Sequence, residues 1–120
     1  MASDHSAAQD FAALDPDHVL DALAAIGVFG DGRLMALKSY ENRVFLVHLD
    51  RPVPDTDIGA VVAKFYRPGR WSDAQIAEEH AFSLELAAAE VPVVAPLVLD
   101  GQTLHHHGGY AFSVSPFRGG

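Results

Sequence analysis

The feature that most restricts the fold is a lysine in the middle of an apolar strand. The run AVVAKFY, residues 60–66, is rich in the β-branched and aromatic side chains that favour strands. Alternation along such a strand places Val62, Lys64 and Tyr66 on one face. Lysine is rarely buried without a partner, so a central strand at this position requires a nearby carboxylate or a bound anion.

The segment after this strand is the best helix candidate in the chain, and it offers a partner for Lys64. A cap at Ser72 or Asp73 starts a helix that runs to about Ala89 without an internal Gly or Pro. At 100° per residue, Glu79 falls on the apolar side of this helix, whereas the other glutamates fall towards solvent. From these residues alone, an exposed Lys64 with Glu79 at the rim is the more common arrangement, and the pairing stays open.

Periodicity and turn residues predict the remaining elements. We expect a first helix capped by Asp15, three further strands, and a hairpin around Asp100-Gly101. The expected ranges are Asp17–Ala25 for the helix, Leu34–Lys38, Val44–Leu49 and Tyr110–Val114 for the strands, and Leu97–Leu99 with Leu104 onward for the hairpin arms. Gly30-Asp31-Gly32 is expected to be a turn.

This order predicts an α+β fold. We expect a mainly antiparallel sheet of about five strands, with one long packed helix and a short N-terminal helix. Trp71 and Phe82 are expected to pack between the long helix and the sheet. Residues 1–13, rich in Ala and Ser, are expected to form a flexible leader.

Composition excludes several classes of function. The formal net charge of −8 opposes nucleic-acid binding, which requires clustered Lys and Arg. The chain has no Cys, no apolar run long enough to span a membrane and no signal-peptide pattern, so we expect a cytoplasmic protein. Only alternate members of His105-His106-His107 share a strand face, so we expect an exposed hairpin arm and no metal site.

A short polar loop completes a candidate site. The run SYENR, residues 39–43, lies between two predicted strands, where the Ser39 hydroxyl and the Asn42 side chain could donate to phosphate oxygens. An ordinary hairpin loop explains the same residues equally well. A strand lysine, a glutamate on the next helix and a preceding loop are nevertheless arranged as in the ATP-binding lobe of kinases.

Longer stretches of the chain resemble a known family. SYENRVF, the run KFYRPGRW with SDAQIAEEHAF, and VPVVAPLVLDGQT are similar to the bacterial stress response kinase A (YihE/RdoA-like) family. These are serine/threonine protein kinases with the aminoglycoside-phosphotransferase-like fold, and the resemblance covers about residues 14–120. It implies that Ser39 contacts ATP, that Lys64 binds the α- and β-phosphates, and that Glu79 holds Lys64 through a salt bridge.

The resemblance also implies what this chain lacks. The family's catalytic aspartate and its magnesium-binding Asn and Asp belong to a larger C-terminal lobe, and His107-Gly108-Gly109 lacks the aspartate of an HGD motif. We therefore expect residues 14–115 to form an N-terminal lobe alone, with Pro116–Gly120 beginning the hinge. Such a lobe is expected to bind ATP weakly at most and to transfer no phosphate. It is also expected to self-associate through the surface that would face the second lobe, including Tyr110–Val114.

Two other functions remain open at this point. The lobe could belong to a small-molecule phosphotransferase of the aminoglycoside or choline type, or it could be a non-catalytic interaction module. If the kinase interpretation holds, the partners are ATP, Mg²⁺ held by the second lobe, and a protein substrate that the sequence does not identify.

Overall fold

The computed structural model describes residue 11 and residues 14–39, 41–90 and 94–117. The elements are α1 (Pro16–Ala24), β1 (Gly30–Leu37), β2 (Arg43–Leu49), β3 (Ala60–Phe65), α2 (Asp73–Ala88), β4 (His105–His107) and β5 (Tyr110–Pro116). All five strands pair antiparallel in the order β1-β2-β3-β5-β4. The predicted α+β fold is confirmed, and the strand that carries Lys64 lies at the centre of the sheet.

The two faces of the sheet have different environments. Val61, Ala63 and Phe65 of β3 are fully buried on one face, where they pack with β5 and with α1 in the main hydrophobic cluster. The opposite face of β3 carries Val62 and Lys64, which are half-buried. Alternation therefore confines the apolar core to one side of the sheet and leaves Lys64 on the side of α2.

Local sequence signals position both helices close to where they are predicted. The Asp15 carboxylate accepts a hydrogen bond from the backbone N–H of His18, 2.8 Å away, and caps α1. In α2, Ser72 and Gln75 form a reciprocal capping box, with side-chain-to-backbone distances of 3.1 and 2.9 Å. Since both caps are encoded by adjacent residues, the helix starts follow from the sequence.

The packing of α2 differs from the prediction. Only Ile76 and His80 are buried among its residues, and Phe82 is 59% exposed. Phe82 lies six residues after Ile76, which is a rotation of about 240° from the buried side of the helix. The expected packing of Phe82 against the sheet is therefore wrong, whereas Trp71 packs edge-on to Tyr66 with 6.2 Å between the ring centroids.

Two strand boundaries also differ. The predicted turn Gly30-Asp31-Gly32 belongs to β1, because an irregular register after Gly30 absorbs the extra residues and lets pairing with β2 begin there. Leu97–Leu99 is not a strand; Leu97 donates one backbone hydrogen bond to Val114, and Leu99 forms a single bridge with Gln102.

The C-terminal hairpin corrects two more predictions. His105 is 2% exposed, because its position opposite Phe112 turns it into the core. The hairpin arm is thus exposed at His106 but not at His105. Tyr110, Phe112 and Val114 are buried as well, so this part of β5 does not form the expected exposed apolar surface.

Some predictions fall outside the described residues. The leader over residues 1–13 is described only at Phe11, which stacks on Tyr110 with 6.0 Å between ring centroids. The expected hinge is described only at Pro116, which ends β5, and at Phe117. Across the described ranges, neither helix is long and apolar enough to cross a membrane.

Candidate functional site

A small cavity on the α2 side of the sheet brings together three of the four predicted site residues. Asn42, Lys64 and Glu79 line this space of about 120 Å³. Its remaining lining residues are Tyr66, Trp71, Gln75 and Ile76. The loop before β2, the central strand and the long helix therefore meet at one place, which we call the lysine cavity.

Lys64 is fixed by its place in the sheet. It lies opposite Val44 of β2 and Ser113 of β5, so its backbone is held from both sides. Its ammonium Nζ lies 5.2 Å from the centroid of the Tyr66 ring, within the range of a cation–π contact. A partly buried cation on a rigid strand is well placed to receive an anion.

Glu79 reaches the same cavity from α2 without pairing directly to Lys64. The glutamate is exposed, and no ion pair of 4.0 Å or less joins it to the lysine in the part of the chain that the structure describes. The two charges therefore face a common space. The salt bridge implied by the family resemblance stays a prediction.

Asn42 is buried at 7% exposure and serves first as a structural link. Its Oδ1 accepts a hydrogen bond from the backbone N–H of Arg67, 3.1 Å away in the connection between β3 and α2. The carboxamide NH₂ group is then the part of Asn42 that can donate to a ligand. Because Asn42 also lines a second cavity, it connects the two spaces.

Ser39 lines that second cavity, an open space of about 560 Å³ beside the lysine cavity. Leu37, Lys38, Asn42 and Arg43 line it as well. Ser39 itself is exposed, whereas Tyr40 of the same loop lies outside the described residues. The structure thus places Ser39 near Asn42 but not in the lysine cavity.

Two arginines hold the loop before β2 against the connection between β3 and α2. The Arg70 guanidinium donates to both carboxylate oxygens of Glu41, at 2.8 and 3.4 Å, and Arg67 Nε donates to the Glu41 carbonyl at 3.1 Å. The hydrogen bonds from Arg70 lower the pKa of the Glu41 carboxyl. These contacts give Arg67 and Arg70 a structural role in holding the loop that carries Asn42.

Sequence reasoning missed a buried polar chain behind the cavity, which we call the His80 chain. His80 Nε2 lies 2.9 Å from the Tyr66 hydroxyl, and His80 Nδ1 lies 2.8 Å from the Thr103 hydroxyl. The Tyr66 hydroxyl lies 3.2 Å from Ser113 Oγ on β5. The sequence held one indication of this chain: His80 follows Ile76 by four residues and therefore lies on the same side of the helix.

Burial sets the protonation of the His80 chain. Desolvation lowers the pKa of His80, with Lys64 acting in the same direction and Glu79 opposing it. Desolvation also raises the pKa of Tyr66, so its hydroxyl keeps its proton at neutral pH. A neutral imidazole can then donate through one ring nitrogen and accept through the other.

Another groove of about 560 Å³ lies on the far side of α2, between the helix and residues 98–106. It contains none of the predicted site residues, and its lining is mainly apolar. The described ranges also hold no group of three or more His, Asp or Glu side chains arranged to bind a metal ion. Among the residues that the structure describes, the lysine cavity contains one cation, Lys64, and the adjoining cavity is lined by two more, Lys38 and Arg43.

Comparison with known proteins identifies a family and two similar proteins. Residues 34–120 match the phosphotransferase enzyme family. The chain is 48% identical over 110 residues to the serine/threonine protein kinase RdoA of Salmonella typhimurium. The aligned residues make up 92% of this chain and 32% of that protein. It is 46% identical over 116 residues to the stress response kinase A of Escherichia coli, covering 97% of this chain and 34% of that protein.

The chain therefore spans about a third of the length of these relatives. The family match begins at Leu34, within β1, and includes β2 to β5 and the whole lysine cavity. The chain belongs to the phosphotransferase enzyme family.

Proposed function

We propose that this chain is the ATP-binding lobe of a kinase that transfers the γ-phosphate of ATP to serine or threonine of a protein. The observation that carries the proposal is the lysine cavity, where a strand cation, a helix carboxylate and an amide donor meet. The family match and the kinase names of the two relatives support phosphate transfer from a nucleotide. The name of the Salmonella relative, a serine/threonine protein kinase, also favours a protein acceptor over an aminoglycoside or choline.

The residues present fit a triphosphate better than a neutral ligand. Lys64 supplies a positive charge on a rigid strand, and the Asn42 amide supplies a neutral donor beside it. The adjoining cavity extends the donor set to the Ser39 hydroxyl. In this proposal Lys64 neutralises the α- and β-phosphates, and Glu79 orients the lysine across the cavity.

The described residues bind and orient but do not complete the transfer. Phosphoryl transfer requires metal ions on the phosphates and a group that orients the attacking hydroxyl. Glu79 is the only carboxylate in the lysine cavity, and the described part of the chain holds no cluster of metal ligands. We propose that Mg²⁺ is held by the second lobe and that residues 1–120 alone form no phosphoprotein, which an assay with labelled ATP would check.

A nucleotide titration of the chain followed by amide NMR tests the binding proposal directly. ATP should shift resonances of residues around the lysine cavity, including Ser39, Asn42 and Lys64. The groove between α2 and residues 98–106 serves as an internal reference that should not respond. Perturbations confined to that groove, or none at millimolar ATP, would overturn the proposal.

A further inference from the structure

The helix that carries Glu79 has little apolar contact to define its position. Among the residues of α2, Ile76 and His80 alone are buried. Leu84 and Leu86 are only half-buried. Hydrophobic contact is non-directional, so one buried isoleucine and two half-buried leucines leave rotation and sliding of the helix weakly specified. A directional contact is needed to hold Glu79 at the lysine cavity.

The His80 chain provides directional contacts on two sides. One imidazole nitrogen bonds to Tyr66, directly after β3, and the other to Thr103, in the segment before β4. A shift of α2 by one residue moves His80 by about 1.5 Å along the helix axis. Because hydrogen bonds weaken steeply over such a displacement, both contacts would be lost together.

Tyr66 links this anchor to the cation. Its hydroxyl bonds to His80, while its ring lies beneath the Lys64 ammonium at 5.2 Å. His80 is also the residue next to Glu79 in the helix. A continuous path of contacts therefore runs from Lys64 through Tyr66 and His80 to the backbone of Glu79, although the two charges do not touch.

We propose that His80 is a positioning residue that fixes α2, and with it Glu79, relative to Lys64 through its paired contacts with Tyr66 and Thr103. The effect of His80 on ATP binding rests on the proposed function, whereas the positioning of α2 does not. Ser113 completes the chain by holding the Tyr66 hydroxyl at 3.2 Å.

Native-state hydrogen exchange of the ligand-free chain tests the positioning. Tyr66→Phe and Thr103→Val each remove one hydroxyl while keeping the shape of the side chain. Each should raise exchange of the α2 amides by about tenfold relative to the amides of β3, the effect of losing one hydrogen bond to a buried group. Thr103→Ser keeps a hydroxyl and should restore protection, and Ser83→Ala, on the same helix, should change the ratio less than twofold.

The result that would overturn the proposal is equally specific. If the amide exchange rates of α2 and β3 rise by the same factor, the hydroxyls contribute to global stability and do not position the helix. Unchanged exchange in both variants would overturn it as well. Since neither variant alters His80 itself, the test does not depend on the folding of a His80 substitution.

A double-mutant cycle with ATP separates this proposal from the proposed function. If His80 acts through Glu79, Glu79→Gln should weaken ATP binding in the wild-type chain and have at least threefold less effect in the Tyr66→Phe background. Equal effects in both backgrounds would contradict the positioning role. If Glu79→Gln changes nothing in the wild type, the assigned function of Glu79 fails, and the exchange ratio decides the positioning role by itself.

Discussion

At the scale of single residues, burial lowers the pKa of two histidines, His80 and His105. His105 is the more buried of the two. It is 2% exposed and lies 5.4 Å from the Phe112 ring, measured between centroids. Neither of its ring nitrogens has a hydrogen-bond partner within the described residues. A polar ring in an apolar core without partners lowers stability, because it loses its hydrogen bonds to water on folding.

We therefore expect His105→Leu to stabilise the chain. The substitution keeps a similar volume and removes the unpaired nitrogens, so the free energy of unfolding should rise by about 1–2 kcal/mol. Urea unfolding at pH 7.5 measures the change. His106→Leu, at an exposed position of the same strand, is the control: it removes only a surface contact of 3.0 Å with Asp73 and should not raise the free energy of unfolding. A loss of stability in His105→Leu would contradict this interpretation of the buried ring.

Stability should also fall as the pH is lowered below neutrality. Burial lowers the pKa of His80 and of His105, opposed in part by Glu79 and by Asp100 respectively. An unfolded histidine has a pKa of about 6.5, so below that pH the unfolded chain binds more protons than the folded chain. The folded state therefore has its full stability at a pH above the pKa of an unfolded histidine. It loses stability as the pH falls towards the lower pKa values that His80 and His105 have in the folded chain.

Urea unfolding at pH 7.5 and 5.5 measures this dependence. The lowered carboxyl pKa values of Asp31 and Glu41 act in the same direction but at lower pH, because their ordinary values are 3.8 and 4.5. His105→Leu should reduce the loss between the two pH values. Equal stability at both, or greater stability at pH 5.5, would contradict the account.

At the scale of elements, tight turns and caps define where the chain changes direction. Gly108 joins β4 to β5 with a φ of +59°, and a Cβ there would overlap the ring of His18 on α1. His18 Nε2 also lies 3.3 Å from the carbonyl oxygen of His107. The turn therefore closes the hairpin and contacts the first helix at the same place.

Gly108→Ala should destabilise the chain by about 1–3 kcal/mol through backbone strain and this overlap. Gly109→Ala is the matched control, since Gly109 has a φ of +89° but open space around it. The difference between the two variants in thermal unfolding isolates the contact with His18. If both variants lose the same stability, the absence of a side chain at residue 108 is not needed for the contact with His18 on α1.

The elements also show what local sequence can and cannot predict. The starts of both helices follow from caps a few residues away, and the strand around Lys64 follows from its apolar neighbours, whereas its central place in the sheet is known only from the structure. The orientation of α2 does not follow from local sequence, because His80 is held towards the sheet by Tyr66 and Thr103, which are distant in sequence. The wrong prediction for Phe82 has a local cause, because helix geometry alone turns Phe82 about 240° away from Ile76.

At the scale of the whole molecule, the sheet formed by the described residues has its two edges at β1 and β4. The β1 edge carries Met35 at 56% exposure and Leu37 at 38%. Exposed apolar edge strands pair readily with other chains. We propose that the self-association expected from the sequence proceeds through β1, because Tyr110, Phe112 and Val114 of β5 are buried.

Sedimentation velocity over a concentration series tests this interface. Met35→Lys places a charge on the edge and should shift the chain towards monomer. Ala24→Lys adds the same charge at an exposed position of α1 and should leave association unchanged. A wild-type chain that stays monomeric at high concentration, or equal effects of the two substitutions, would contradict association through β1.

The central claim is that the cation at the middle of the sheet binds nucleotide phosphate, and an ATP titration by amide NMR tests it most directly. Lys64→Ala should weaken binding by about tenfold or more, the effect of losing a charge-assisted hydrogen bond. Arg51→Ala removes the same charge from an exposed position beside Phe29 and should leave the affinity within about twofold. Equal affinities for the wild type and Lys64→Ala would contradict the account.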